Sequence, residues 1–281
     1  MPLDVESLMR ECSEELPPNT IAAAIQAVEG SVISPALFTL YTDNCRSSDP
    51  EITYIKYSDD TVIIDTSNTE GKLQAEMDIF SDWCRKNGLD LNASKTKELV
   101  IDFRRGQQTI TTLKVDSQAI ERVEEYKYLG TTIDQKLTFK RNNEIIFSKC
   151  QQRLFFLRKL RKLQVHQSTL LAFYRCFIES IITFNITAWF GALSKINVNP
   201  LTKIIRMCSK IIGLDLEPLS SIHSRRTQIK GLQIASDPTH THYTTSTAPY
   251  PQAADRSLPF RTQRATSSFV STSIILINAC S

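Results

Sequence analysis

Polar and apolar positions alternate through Glu51–Tyr57, with Ile52 and Tyr54 on one side and Thr53, Ile55 and Tyr57 on the other, as in a two-sided strand. Thr61–Asp65 is a second β-branched run. Ser58, Asp59 and Asp60 between them are short polar turn formers, so the pattern predicts a β-hairpin with two adjacent carboxylates at its tip. Upstream, Ser34 is a good N-cap and Pro35 suits the first helical position, which predicts a short helix through Tyr41. Downstream, Ser67–Glu70 has capping-box spacing and predicts a helix with Leu73, Met77, Phe80 and Cys84 on one face, closed by Asn87 and Gly88. Glu98–Phe103, Thr112–Val115, Ala119–Val123 and Tyr126–Asp134 read as short strands.

From Phe139 onward the period becomes helical. Ile146, Cys150, Leu154 and Leu157 mark one stripe, and Leu170, Tyr174, Phe177, Ile181 and Phe184, capped by Ser168, mark a second. Asn199 and Pro200 are expected to start a third helix, with Leu201, Ile204, Ile205, Cys208 and Ile212 inward and Gly213 at its end. The fold class expected is α+β with a small, mainly antiparallel sheet, followed by an all-α bundle. Residues 1–28 fit neither pattern and are expected to be a leader. Residues 215–281 are expected to be a linker and a poorly ordered tail, Thr/Ser/Pro-rich from Ser236, in which Phe269–Asn278 is apolar enough to dock.

Composition narrows this picture modestly. A chain of 281 residues allows one or two domains, and only 8 glycines disfavour a glycine-rich nucleotide fold. The seven cysteines are scattered with no zinc spacing, which points to a reducing compartment and no structural zinc. His240 and His242 have no third ligand nearby. The apolar stretch Phe177–Leu193, broken by Glu179 and Asn185, falls short of the roughly 20 residues of a membrane span. With no secretory signal in Met1–Leu16, an intracellular protein without a membrane partner is expected. Net charge is only +3, but Lys and Arg greatly outnumber acids between Asp134 and Lys162. That stripe is either a phosphate-gripping surface or a solvated amphipathic face.

The paired carboxylates carry the candidate chemistry. At about 4 Å and an effective dielectric near 20, like charges repel by roughly 4 kcal/mol. A water-exposed turn tolerates that, and a divalent cation between the groups exploits it. Mg²⁺ is commonly held by one or two carboxylates together with substrate phosphates. An ordinary solvated Asp-Asp turn is the competing reading.

Gly30-x-x-x-Ser34-Pro35-x-Leu37-Phe38, Tyr57-Ser58-Asp59-Asp60, Leu91-Asn92-x-x-Lys95-Thr96-Lys97 and Tyr126-x-Tyr128-Leu129-Gly130 occur in this order. Together they resemble the reverse transcriptase of non-LTR (LINE-type) retrotransposons, over about Glu29–Leu232 and more loosely Ser236–Asn278. The resemblance implies a partial palm at 29–135 and a basic, helical thumb-like domain at 136–214. It implies that Asp59 and Asp60 hold catalytic Mg²⁺, Asp59 the more directly, and that Ser58 stands where the family more often has alanine. Tyr57 would border the primer end, and Gly30, Ser34 and Pro35 would back the template–nucleotide site. Lys95 or Lys97 would lie near the leaving pyrophosphate, and Tyr128, Leu129 and Gly130 would grip the primer. Lys149, Arg153, Arg158 and Arg161 would bind the RNA template and DNA primer.

The family also uses a third carboxylate on an upstream strand, and Val28-Glu29 replaces its usual Pro-Gln. The expectation is therefore a truncated polymerase fragment, inactive alone. Residues 137–190 also resemble the N-terminal region of an alkylation-repair AlkB homologue. That family implies 2-oxoglutarate-dependent oxidation and methyl transfer, for which the residues supply neither an iron triad nor a cofactor pocket. A non-catalytic nucleic-acid-binding module is the remaining alternative.

Overall fold

In the computed structural model the described residues are 34–67, 69–103 and 111–240, with 268, 269 and 272. The chain divides into two units, one running to Val100 and including Arg104–Val123, the other comprising Ile101–Phe103 and everything from Glu124. Both mix or juxtapose helices and short ladders, so the α+β class is borne out.

The first unit contains α1 (Ser34–Tyr41), β1 (Ile52–Tyr57), β2 (Asp60–Asp65), α2 (Lys72–Lys86), β3 (Lys97–Glu98), β4 (Lys114–Val115), β5 (Gln118–Ala119) and β6 (Glu121–Arg122). β1–β2 and β4–β5 are antiparallel pairs and β3–β6 is parallel, so separate two-stranded ladders stand where one small sheet was expected. Met77, Phe80 and Cys84 of α2 are buried as their spacing predicts. Phe80 and Cys84 pack with Cys45, Tyr54 and Ile63, and Met77 packs with Val115 and Ile120. Burial pushes the Cys84 thiol up to about 11, so it acts as a small hydrophobe. Two buried acids in this unit have partners: Glu76 accepts from the Tyr54 hydroxyl at 2.9 Å, and Glu98 pairs with Arg122 at 2.8 Å.

The capping box is a correction. α2 starts at Lys72 behind Gly71, which takes a φ of 78° and offers no side-chain cap. Ser67 Oγ instead accepts from the Thr69 N–H at 3.1 Å, closing a local turn, and Glu70 accepts from Thr111 at 3.0 Å. The short turn satisfied the serine before a helix could use it.

The second unit contains β7 (Glu125–Tyr128), β8 (Thr131–Asp134), α3 (Lys140–Lys162), α4 (Gln167–Phe173), a π-helical turn at Tyr174–Glu179, α5 (Ser180–Ile182), α6 (Ile186–Trp189), α7 (Lys195–Ile212) and α8 (Leu219–Ala235). The single strand expected over Tyr126–Asp134 is a hairpin, because Leu129 (φ 44°) and Gly130 (φ 85°) turn the chain with both φ values positive. The inward stripe of α3, Ile146, Cys150, Leu154 and Leu157, is buried as expected, and so is that of α7. α7 begins behind Ser194, earlier than Asn199, and carries Pro200 within it. The cap of α4 is His166, whose ring accepts from the Ser168 N–H, where Ser168 itself was expected.

The second stripe departs from its expected register. Phe177 and Phe184 are 49% and 50% exposed, while Ile178 and Ile182 are at 0% and 1%. The cause is the π-helical turn, whose wider i→i+5 bonding keeps residues four apart in line, so Tyr174, Ile178 and Ile182 face the core; Ile186 is buried behind a fresh start at Asn185. By length and composition the run Gln167–Ala192 could cross a membrane, longer than the stretch counted from sequence. Its inward residues nevertheless pack against α3 and α7 in one core. α8 lies where a linker was expected; its sequence is rich in Ser, Thr and Arg and has Gly231 inside, which hides its apolar face.

The β7–β8 hairpin is bound tightly to these helices. Asp134 accepts from the N–H groups of Phe139 (2.7 Å), Thr138 (3.0 Å) and Lys136 (3.1 Å) and from the Thr138 hydroxyl (3.1 Å). It thus caps α3 from outside, since Phe139 at the helix start has no capping side chain. Partial burial opposes its charge, but these four donors outweigh it and hold the carboxyl below its usual value. Asn142 Oδ1 accepts from the Thr132 N–H at 3.1 Å, and Asn185 donates to Thr131 Oγ1 at 3.0 Å.

Two outcomes are expected. Asp134→Ala should cost about 1–3 kcal/mol, seen as a lower urea midpoint. Because the folded pKa is depressed, the wild-type contribution is present above the unfolded value near 3.9 and disappears as pH falls through the folded value, and the variant's stability should lack that acid limb. Gly130→Ala should cost about 1–2 kcal/mol for the backbone alone. A further loss is expected because its Cβ would sit 3.1 Å from the Phe184 ring; thermal melts against Gly71→Ala, whose surroundings are open, separate the two effects.

Candidate functional site

In the β1–β2 ladder Ile52 pairs with Asp65 and Tyr57 with Asp60, leaving Ser58 and Asp59 as the two-residue turn. Asp60 therefore belongs to the strand, and Asp59 alone of the two acids is at the tip. Strand twist favours primed turns here, and Ser58 takes the positive φ they require, at 53°. A small polar residue accepts that conformation more readily than a bulky one. Tyr57, Asp59 and Asp60 are all exposed. Among the described residues neither carboxylate has a hydrogen-bond or ion-pair partner, which leaves both free for an external cation.

The register also positions a residue that the motif reading passed over. Ile52, Tyr54 and Lys56 share the inward side, and an inward lysine must find acceptors. Lys56 Nζ donates to the Thr42 carbonyl and, at 2.9 Å, to that of Cys45, just past the C-terminal end of α1. Burial pushes its pKa down. Lys56 thereby ties the hairpin, one residue before Tyr57, to the helix that begins with Ser34 and Pro35. The Tyr41 hydroxyl donates to the Asn87 carbonyl, which fixes the other side of that helix end against α2. Gly30, the remaining member of the Ser34 motif, lies outside the described residues.

Lys95 and Lys97 are in the same unit but are used differently. Lys97 Nζ is held by Glu121 at 2.7 Å and by the Ser94 carbonyl at 3.0 Å. Lys95 is exposed in an Asn92-initiated turn, where its N–H meets Asn92 Oδ1 at 3.1 Å, and its ammonium has no partner among the described residues. Of the two, Lys95 is available to a phosphate.

The other site residues belong to the second unit. Tyr128, Leu129 and Gly130 form the β7–β8 tip, with Leu129 in a positive-φ conformation that is costly for a branched residue. Lys149 and Arg161 are exposed and without a partner among the described residues. Arg153 is engaged within the protein, donating to the Phe177 carbonyl at 2.6 Å, and Arg158 makes a weak contact with Met207 sulfur at 3.6 Å. No group of three or more His, Cys, Asp or Glu side chains placed to hold a metal occurs among the described residues. Asp59 and Asp60 fit a hard cation as an oxygen donor pair, to be completed by other ligands.

With this geometry in place, comparison with known proteins is informative. Residues 16–133 match the family described as reverse transcriptase (RNA-dependent DNA polymerase). Residues 140–180 match the family described as alkylated DNA repair protein alkB homolog 8, N-terminal. The chain is 29% identical over 134 residues, 43% of its length, to the RNA-directed DNA polymerase from mobile element jockey of Drosophila melanogaster. It is 22% identical over 201 residues, 66% of its length, to the jockey polymerase of Drosophila funebris. A third relative, the probable RNA-directed DNA polymerase from transposon BS of Drosophila melanogaster, is 26% identical over 184 residues, 61% of the chain. The matches cover 14%, 21% and 20% of those relatives, so the chain spans a small part of their length. No solved structure matches. These findings bear out the resemblance carried by the four ordered motifs.

Lys56→Met keeps the length of the side chain and removes its donors, leaving the Cys45 carbonyl without that bond and the Thr42 carbonyl with only the Cys45 N–H, at 3.1 Å. A loss of about 1–3 kcal/mol in urea unfolding is expected. The amides of Tyr57–Asp60 should also exchange faster with solvent deuterium.

Proposed function

We propose that the chain is the palm-and-thumb portion of an RNA-directed DNA polymerase from a LINE-type retroelement. The observation that carries this reading is the exposed hairpin end, with Asp59 in its turn and Asp60 at the adjoining strand position, neither with a partner among the described residues, inside the segment that matches the reverse transcriptase family. Asp59, in the turn, is the more direct Mg²⁺ ligand, and Asp60 follows it at the first strand position. When bound, divalent metal supplies the charge that clamps the attacking and leaving oxygens of an in-line phosphoryl displacement. Tyr57, 63% exposed, offers a flat face to the primer end. Lys95 provides a cation for the charge that develops on departing pyrophosphate, whereas Lys97 supports the local backbone. The β7–β8 tip and the cations of α3 bind primer and RNA template through their phosphates.

The described residues supply two of the carboxylates that a two-metal site needs, so the chain alone does not extend a primer in this reading. The match at 140–180 adds only a helical segment, because an iron triad of two His and a carboxylate has no counterpart among the described residues.

Primer extension on oligo(dT)–poly(A) with Mg²⁺ tests the reading together with calorimetric Mg²⁺ titration. Expected are no templated incorporation and weak metal binding that falls about tenfold or more in Asp59→Asn. Robust incorporation that disappears in Asp59→Asn would overturn the inactivity and keep the polymerase reading. Metal and RNA–DNA hybrid binding that are both indifferent to Asp59→Asn and Asp60→Asn would overturn the polymerase reading itself.

A further inference from the structure

Helix α3 has two faces with opposite chemistry. Inward, Ile146, Cys150, Leu154 and Leu157 close the core of the second unit. Outward, Phe155 and Phe156 are 52% and 55% exposed and meet edge to face at 5.6 Å. Phe177, on the π-helical turn, is half exposed and stacks on Phe173 at 4.8 Å. Cations accompany these rings: Lys159 Nζ lies 4.8 Å from the Phe155 centroid, and the Arg153 guanidinium lies 6.0 Å from that of Phe177. Helix neighbours are three or four residues apart, so Lys149, Arg153 and Phe156 form one row and Phe155 and Lys159 the next. Leu163, 75% exposed, extends the first row beyond the helix end.

Along α3 beyond Glu144 the charge has one sign, and Glu179 is the first acid after it. From Ile145 to Ile178 the sequence contains no Asp or Glu, while Lys149, Arg153, Arg158, Lys159, Arg161, Lys162 and Arg175 are all present. A merely solvated helix face does not need half-exposed phenylalanines, whose apolar area stays in water at about 25 cal/mol per Å². An apolar protein partner would bury the rings and leave the cations without counter-charges. The surface therefore suits an occupant that is flat and apolar at one repeat and anionic at the next. Duplexes present phosphates but hide their base faces, whereas an unpaired strand presents both.

We propose that the outer face of α3, with the π-helical turn, binds an unpaired polynucleotide strand without sequence preference. Phe155, Phe156 and Phe177 stack on bases, Lys149 and Lys159 meet the phosphates, and Arg153 holds Phe177 in place. This rests on the nucleic-acid reading of the chain but does not use the hairpin at Asp59. It also differs from a grip on duplex backbone, which would not use the rings.

The test is fluorescence anisotropy of the full chain with labelled oligouridylate, oligothymidylate and an RNA–DNA hybrid of the same length, across a salt series. Unpaired strands should bind at least as tightly as the hybrid, and the two unpaired probes distinguish RNA from DNA as the strand favoured. F155A/F156A should weaken binding of the unpaired strands about tenfold or more, with the salt slope unchanged. K149Q/K159Q should lower that slope by roughly one to two, and F155W/F156W should restore affinity at an unchanged melting midpoint. In the absence of divalent metal, affinity for the unpaired strands should be the same in Asp59→Asn as in the unsubstituted chain, so this surface and the polymerase reading fail separately. Equal losses on hybrid and unpaired strand in F155A/F156A, no loss on either, or association with anionic vesicles in place of RNA would overturn the proposal.

Discussion

A two-residue hairpin turn leaves the backbone little slack, because strand twist favours turns with positive φ at one or both central residues. Three ladders obey this constraint: Ser58 at 53°, Asp116 and Ser117 at 47° and 68°, and Leu129 and Gly130 at 44° and 85°. Only one of these five residues is a glycine, so each tip holds strain that its surroundings must support. At the first tip Lys56 anchors the strand to the end of α1. Asp116 is held at the second by Arg85, at 2.9 Å. The third has Asn142, Asn185 and the Asp134 cap. The first and third carry the candidate site residues, and both are supported from outside their own ladders.

Charge divides the molecule in a similar way. Lys56 and Arg122 are engaged with carbonyls or acids at partly buried positions, where the contact shapes the fold. Pairs such as Arg46–Asp43 are surface contacts of small worth. Many surface charges have no internal partner among the described residues, and Asp59, Asp60, Lys95, Lys149 and Arg161 are among them, as are Asp90, Lys127 and Lys162. The motif reading selects Asp59, Asp60 and Lys95, and the pairing pattern is compatible with that selection. They separate Lys97, whose ammonium already has two partners.

Patterns of short range were legible in the sequence. The hairpin at residues 52–65 was visible because alternation and turn chemistry act within a few residues, and α3 because its stripe repeats through a long regular helix. Features that depend on distant or competing partners were not. Ser67 satisfied a turn before it could cap α2, and Asp134 caps α3 from five residues upstream of Phe139. The π-helical turn changed its own inward residue and that of α5 without altering any apolar residue type, so periodicity selected Phe177 in place of Ile178. Lys56 was readable in principle, since alternation already placed it inward. α8 was hidden by a composition whose buried set includes Gly231, Thr227 and His223.

That shift of register has a consequence for the helical unit. Had the run from Tyr174 stayed α-helical, its inward row would have drifted toward Phe177 and Ile181. The π-helical turn instead sends Ile178 inward, and Phe177 projects beside Arg153, where guanidinium and ring reinforce each other. The same realignment leads to Ile182; there the helix ends, Asn185 (φ 48°) restarts the chain, and Phe184 and Asn185 reach Gly130 and Thr131 at the β7–β8 tip. The local widening of the helix therefore adds Phe177 to the aromatic surface beside α3, while the break at Asn185 seats the Tyr128–Gly130 turn. Within the first unit, the described supports of the hairpin at Asp59 are α1, α2 and the loop at Cys45.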